Sequence, residues 1–460
     1  MIAKSVRALA FFALLLPGSA QGQIAASYAE VAGRIIAAAQ ADSFAYGRLA
    51  ELVDTFGPRL SGSKNLENAI DWILAQMAAD GLHNVHGEKV MVPHWVRGAE
   101  SAELLEPRRK ALKILGLGRS VGTPRRGIKA PLVVVGSFAE LQARAGEAKG
   151  RIVLYNVPFT SYGETVRYRS RGAIEAAKLG ALAVLVRSVT PHSLSTPHTG
   201  AMSNYDEDVP KIPAAAVTVE DAMLLQRMQD RGERPVVRLK MGAKTLPDAP
   251  SRNVVAELLG SELPHEVVVL GGHIDSWDVG QGAMDDAGGC VAAWEAVRLL
   301  KQLGLHPRRT IRVVLWTNEE NGLAGGRAYR DAHLAELDDH ILAIESDGGV
   351  FKPAGFGFTG SDAARAMIED IAGLLAPIEA GTILPRGGGA DIGPIMRAGV
   401  PGMGLNVERT KYFWYHHSDA DTIDKLDPHE LNLCVATLAV MAYVVADMPQ
   451  RLPRMPVEEE

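Results

Sequence analysis

Residues Gly271–Gly289 read GGHIDSWDVGQGAMDDAGG, directly after the apolar, β-branched run Val267–Leu270. The run reads as a buried strand. The stretch beyond it is rich in glycine, which lets a backbone pass close to a bound group. It carries one histidine and four aspartates: His273, Asp275, Asp278, Asp285 and Asp286. In an open α/β sheet, ligands collect where strands end and such loops begin. The loop is therefore expected to hold a metal ion, with later motifs completing the site.

Outward from this loop the pattern alternates. Asn253–Leu258, Thr310–Leu315, His340–Ile344 and Val400–Leu405 read as strands; Ala287–Leu300, Ser361–Leu375 and Pro428–Ala446 read as helices. Such alternation predicts an α/β fold with a mainly parallel central sheet flanked by helices. Upstream, Ser27–Ala41 and Tyr46–Phe56 have helical spacing. Gly57-Pro58-Arg59-Leu60-Ser61-Gly62-Ser63 is a turn-rich break, and a helix follows with Ala69, Ile70, Ile73, Leu74 and Met77 on one face. Val85–Val96 is a strand. From about Pro107 the texture changes to basic turns and then short strands, Ala130–Val135, Arg151–Val157, Ala181–Val186, Ala214–Val217 and Pro235–Leu239. Thr245–Ser251 reads as a Pro-containing linker back to the α/β pattern. His192 and His198 lie in a stretch expected to be a solvated loop.

The first catalytic part is thus expected at 23–125, a β-rich insert at 126–243, the second catalytic part at 244–452, and a loose acidic tail at 453–460. Residues 1–22 have the layout of a secretory signal peptide: Lys4 and Arg7, the apolar run Ala8–Leu16, then Pro17-Gly18-Ser19-Ala20. The protein is accordingly expected to be secreted or periplasmic, with no membrane span. A formal charge of −6 and the lack of any basic run argue against a nucleic-acid partner. The two cysteines, Cys290 and Cys434, exclude a disulfide framework and read as free core thiols.

Three more stretches stand at strand ends. They are Leu315–Gly326 with Glu319 and Glu320, Ile344–Gly349 with Glu345 and Asp347, and Trp414–Thr422 with His416, His417, Asp419 and Asp421. Adjacent carboxylates after a buried strand are costly unless a cation offsets them. Imidazole with carboxylate is the ligand set of zinc, or less often manganese or cobalt. Of two neighbouring glutamates, one can bind metal while the other takes a proton from the attacking water.

Taken together and in this order, HIDS…GAMDDAGG, TNEENGLAGG, ESDGG and YHHSDADT resemble the M28 family of co-catalytic di-zinc exopeptidases. The resemblance covers nearly the whole chain, and it extends to a protease-associated insert, which segments 150–158 and 173–186 resemble. It implies the zinc exopeptidase fold, two Zn2+ per chain, and a peptide or dipeptide substrate cut from an unblocked end. It is compatible with a homodimer. It implies His273 and Asp347 on one zinc, Glu320 and His417 on the other, and Asp285 bridging both across a cis bond to Asp286. Glu319 matches the general base, and Asp275 the acceptor that orients His273. Some relatives place an oxyanion-steadying tyrosine before the last zinc histidine; here His416 stands there, with Tyr415 one step back. Asp391, in a Gly-rich loop, is the candidate for a substrate α-amino group. Arg386 or Arg409 is the candidate for an α-carboxylate. A single-zinc glutaminyl-cyclase-like acyltransferase, or a non-catalytic binding protein on this scaffold, would show fewer ligands than are present.

Overall fold

The computed structural model describes residues 23–455. The segment read as a signal peptide lies outside the described residues, as does the end of the acidic tail.

Val267–Leu270 does form a buried strand. Val267 and Val269 face one apolar cluster with Val314, Trp316 and Ile395, while Val268 and Leu270 face another with Ile311, Leu342 and Val435. Both faces are covered, as a continuous apolar strand requires. It belongs to an eight-stranded sheet with the order His83–Val96, Lys244–Leu258, Arg309–Trp316, Leu263–His273, His340–Glu345, Gly402–Val407, Pro353–Thr359, Thr382–Leu384. The four middle strands run parallel. The flanking pairs are antiparallel, apart from the last. The sheet is therefore mixed, and the parallel character expected of it is confined to the centre. The helix Gly288–Gln302 carries the parallel crossover from Leu263–His273 to Arg309–Trp316, whereas Lys244–Leu258 passes into Leu263–His273 by a short return and so runs the other way.

The helix Pro428–Asp447 is long and apolar enough to cross a bilayer by composition, but 89% of its apolar window is buried. It packs on Gly288–Gln302 and Gln23–Ala41 as a core helix. Asp427 caps it by accepting from the amides of His429 and Glu430. Cys290 and Cys434 are buried and unbridged.

A second eight-stranded sheet has the order Lys110–Leu112, Glu100–Glu106, Val236–Met241, Ile128–Val135, Ile152–Tyr155, Ala183–Arg187, Ala214–Val217, Ile114–Gly116. Its first and last strands in that order are separated in sequence by Lys113 alone, so the sheet curls until its edges meet. It begins at Glu100, ahead of the boundary expected at 126. The basic turn Pro107–Lys110 hid a hairpin whose strands are too short to show a period. The two sheets are linked by an antiparallel ribbon, His83–Val96 against Lys244–Leu258. The stretch expected to be a linker, Thr245–Ser251, is part of that ribbon. Its prolines are tolerated because only Val254–Leu258 has a strand on its other side.

Candidate metal centre

The four central strands all end on one side of the sheet, and each delivers part of one cluster. His273 is the last residue of its strand, Asp347 lies two residues past another, Glu319 and Glu320 lie just beyond Trp316, and His416 and His417 follow the short helix Tyr412–Tyr415. His273 Nε2 lies 3.2 Å from Asp285 Oδ1 and 3.3 Å from Asp347 Oδ1. His417 Nε2 lies 3.0 Å from Glu320 Oε2 and 3.4 Å from Asp285 Oδ2. Asp285 thus faces both groups, one oxygen to each. His273 with Asp285 and Asp347, and Asp285 with His416 and His417, form two groups whose ligand atoms could hold ions.

A test of fit comes from unmet polar atoms. His273 Nε2, Asp285 Oδ2 and Glu320 Oε1 are buried without a hydrogen-bond partner. Buried polar atoms are nearly always paired, and these belong to residues of the two ligand groups. A pair of cations would satisfy them all. Titration behaviour agrees at the glutamates and at His416 and His417, whereas at His273 burial is outweighed by Asp285 and Asp347, which raise it well above 6.5. Burial, then neighbouring acids, pushes Glu319 up to about 8 and Glu320 well above the usual carboxylate range. Burial also holds His416 and His417 well below 6.5, in the neutral form that a metal needs.

His416 and His417 are stacked, with ring centroids 3.5 Å apart. His416 Nε2 is 3.7 Å from Asp285 Oδ2, but only His417 also meets Glu320. Tyr162, from the second sheet's layer, stands edge-on to His416 at 5.3 Å.

The shell around the cluster is closely built. The peptide between Asp285 and Asp286 is cis. Asp421, read from sequence only as a spacing mark for His417, takes three amides of the loop. Its Oδ1 accepts from Ala283 (3.1 Å) and Met284 (2.7 Å), and its Oδ2 from Asp285 (3.2 Å). Burial pushes it up to about 7. Asp286 accepts from the amides of His273 (3.1 Å) and Gly289 (3.2 Å). A Cβ on Gly272 or Gly289 would collide with its carboxylate, so the space for Asp286 exists only because both residues are glycine. The Asp275 carboxylate, expected to orient His273, has its Oδ1 3.8 Å from His273 Nδ1. His273 Nδ1 meets the backbone carbonyl of Asp275 at 3.0 Å. The carboxylate instead accepts from the Glu319 amide (3.0 Å) and the Ser61 hydroxyl (3.2 Å). Asp275 thus ties the His273 loop to the glutamate turn.

Sequence reasoning missed Arg59. It is fully buried and donates to the carbonyls of Ile274 (2.9 Å), Gly57 (2.9 Å), Gln281 (2.7 Å) and Gly282 (2.9 Å). The turn-rich break around it is therefore a brace for the loop Ile274–Gly282. Its only sequence signal was a charged residue inside an otherwise small, turn-forming stretch. The second layer also reaches the cluster. His198, expected in a solvated loop, is buried and meets the His416 carbonyl at 2.7 Å, and the Thr199 amide donates to the His417 carbonyl at 2.9 Å. Arg169 Nη1 lies 3.3 Å from His417 Nδ1. His192 stacks on Trp414.

The remaining candidates separate. Asp391 is 1% exposed and neither of its oxygens has a partner. Burial, then the charge of Glu345, raises it well above the carboxylate range. Glu345 is itself buried and accepts from the Ile392 amide at 2.9 Å. Asp278 leaves the site and pairs with Arg97. Arg386 and Arg409 line a cavity that reaches Asp347.

Comparison with known proteins adds independent findings. The model of peptidase family M28 matches residues 253–442. Carboxypeptidase Q of Pongo abelii is 53% identical over 432 residues, 93% of this chain and 91% of that protein. The human Carboxypeptidase Q is 52% identical over 432 residues, again 93% of this chain and 91% of that protein. The crystal structure of a peptidase M28 precursor from Shewanella amazonensis superposes with a TM-score of 0.90 at 35% identity, covering 94% of this chain and 99% of that one.

Proposed function

Since this chain belongs to peptidase family M28 and is a metallopeptidase, we propose that it is a secreted exopeptidase using two zinc ions to cut dipeptides or short peptides at an unblocked end. The observation that carries the proposal is Asp285, whose two oxygens face two separate ligand groups. His273 and Asp347 would hold one ion, Glu320 and His417 the other, with Asp285 across both. When bound, such ions supply Lewis acidity to the scissile carbonyl and lower the pKa of the attacking water.

The chain's own residues do the rest. Glu319 is next to the ligand Glu320 without being needed as a ligand. Its amide is pinned by Asp275, which leaves its carboxylate to take the water's proton and return it to the leaving amine. His416 stands beside Asp285 without a second ligand contact, in the position of a donor to the developing oxyanion. Asp391, buried with two unpaired oxygens, offers an acceptor for a substrate α-ammonium group. Trp277 and the second layer, through Tyr162, wall the cluster and exclude water. We take that second layer, Glu100–Met241, as the protease-associated insert, and residues 1–22 as the export signal.

The experiment is hydrolysis of Ala-Ala, acetyl-Ala-Ala and Ala-Ala amide by the zinc-loaded protein, read by mass. Cleavage of the free dipeptide and loss on blocking one or both ends supports the proposal. Cleavage inside long peptides blocked at both ends, or no cleavage of any of them, would refute it.

A further inference from the structure

The second layer, Glu100–Met241, hydrogen-bonds to the metal centre on one side only. Among the described residues its bonds to the centre's loops end on the glutamate turn and on the stretch Phe413–His417, and none ends on Gly271–Gly289 or Ile344–Gly349. Arg119 donates to the Asn321 carbonyl at 2.6 Å, one residue past Glu320. The Thr199 amide donates to the His417 carbonyl at 2.9 Å, and the Thr199 carbonyl lies 3.3 Å from His417 Nδ1. His198 meets the neighbouring His416 carbonyl at 2.7 Å. Thr199 and His198 are themselves anchored in their own layer: Thr199 Oγ1 donates to the Gly116 carbonyl at 2.7 Å, and the His198 amide donates to Ser188 Oγ at 2.9 Å.

Arg169 completes this contact. It is 7% exposed, and no carboxylate pairs with it among the described residues, although a buried charge is costly unless something compensates it. Its Nη1 lies 3.3 Å from both the Thr199 carbonyl and His417 Nδ1, and its Nη2 donates to the Tyr162 hydroxyl at 2.7 Å. The space it fills is reserved: Gly200 has φ +135°, and a Cβ there would lie 2.3 Å from the guanidinium carbon. His417 turns Nε2 toward Glu320 and Asp285. With Nε2 given to an ion, the ring proton sits on Nδ1, and the Thr199 carbonyl is the acceptor within reach. Arg169 Nη1 and His417 Nδ1 then share that carbonyl, which fixes the plane of the ring. His273, by contrast, is held within its own loop, by the carbonyl of Asp275.

Resting on the two-ion exopeptidase reading, we propose that the second layer positions one of the two ions and not the other. Thr199, set by Arg169, orients His417, and Arg119 sets the turn that carries Glu320; all three are positioning residues for the ion of Glu320 and His417. The ion of His273 and Asp347 depends on the first layer alone. The coupling is reciprocal, because an ion favoured by the docked layer favours docking by the same factor. Filling the Glu320 and His417 site therefore tightens the contact between the layers, and filling the other site does not.

The test measures zinc affinity of the full chain by chelator competition. Arg169→Met, and independently Arg119→Ala, should leave one ion held as in the parent and weaken the other about 10- to 100-fold, the usual effect of losing an outer partner of a metal ligand. Two backgrounds identify the weakened ion: Asp347→Asn leaves the ion of Glu320 and His417, and Glu320→Gln leaves that of His273 and Asp347. The loss is expected in the first background, with a change below twofold in the second. Both ions weakened alike would show a general structural role and overturn the proposal, as would no loss at either. Hydrogen exchange read by mass supplies a second measurement. Zinc should slow exchange of segment 197–203 in the Asp347→Asn protein and not in the Glu320→Gln protein; slowing in both or in neither overturns the proposal. A parent that binds two ions with these dependences yet cleaves no dipeptide would sink the exopeptidase reading alone. A parent that binds fewer than two ions overturns both.

Discussion

Replacing Asp421 with asparagine tests how the loop is held. Its carboxylate accepts three amides, those of Ala283, Met284 and Asp285. Asparagine keeps the shape and one acceptor oxygen. If that oxygen stays with Ala283 and Met284, the new NH2 points at the Asp285 amide, donor against donor. The lost bond to a charged acceptor is worth about 1.5–3 kcal/mol. The charge itself is expensive here, since burial raises Asp421 to about 7, and asparagine removes that cost. Folding stability should therefore change by about 1 kcal/mol or less. The damage falls on the orientation of Asp285, the carboxylate facing both ligand groups. Affinity for metal should drop about 10- to 100-fold, and kcat/KM with it. Chelator competition measures the first and dipeptide hydrolysis the second, with thermal melting of the metal-free protein as the control. Metal affinity and kcat/KM within twofold of the parent would refute the reasoning. Equal losses in stability and in metal affinity would show that Asp421 supports the fold in general rather than the loop.

Glu319→Gln should keep full metal content by elemental analysis and lose about 10²- to 10⁴-fold in kcat, the range for a removed general base; near-normal turnover would mean another group takes the proton. Arg59→Met leaves the Ile274 carbonyl buried without a donor and removes the donor to those of Gly57 and Gln281, at about 1–3 kcal/mol each, partly offset by removing a desolvated charge, while the Gly282 carbonyl keeps the Ala287 amide. Urea unfolding should show a loss of about 2–4 kcal/mol, and Arg59→Lys should not recover it, because an ammonium lacks the fork that reaches both ends of the loop. His340 is buried between the Tyr329 hydroxyl and the Glu336 carbonyl, and burial lowers it to about 4. A histidine with a depressed folded pKa stabilises fully above its unfolded value near 6.5, and that stability is lost as pH falls toward 4. The parent should therefore lose about 3 kcal/mol over that window that His340→Asn does not, measured as the difference in slope of stability against pH.

The legible parts of this chain are those whose physics is local. The strand Val267–Leu270 is buried on both faces and announces itself as an apolar run, and the strand-end loops announce themselves by carrying acids and imidazoles where a buried backbone would otherwise exclude them. The ligand assignment came from motif order, which sequence does carry. The missed features depend on contacts made far along the chain. Arg59 meets Gln281 and Gly282, more than two hundred residues away, and nothing near Arg59 marks it as buried. His198 looked solvated because its partner, the His416 carbonyl, belongs to the other layer. The strands Glu100–Glu106, Lys110–Leu112 and Ile114–Gly116 are short and interrupted by charge, so alternation never becomes visible. Thr245–Ser251 read as a linker because prolines suggest a break, whereas an edge position tolerates them.

The most direct test is a metal count. After loading with zinc and removal of excess, elemental analysis of the parent should give two ions per chain, Asp347→Asn about one, and Asp285→Asn fewer than one, because Asp285 faces both ligand groups. A parent that binds one ion, or an Asp285→Asn protein that retains two, would contradict the shared bridge on which the proposed chemistry stands.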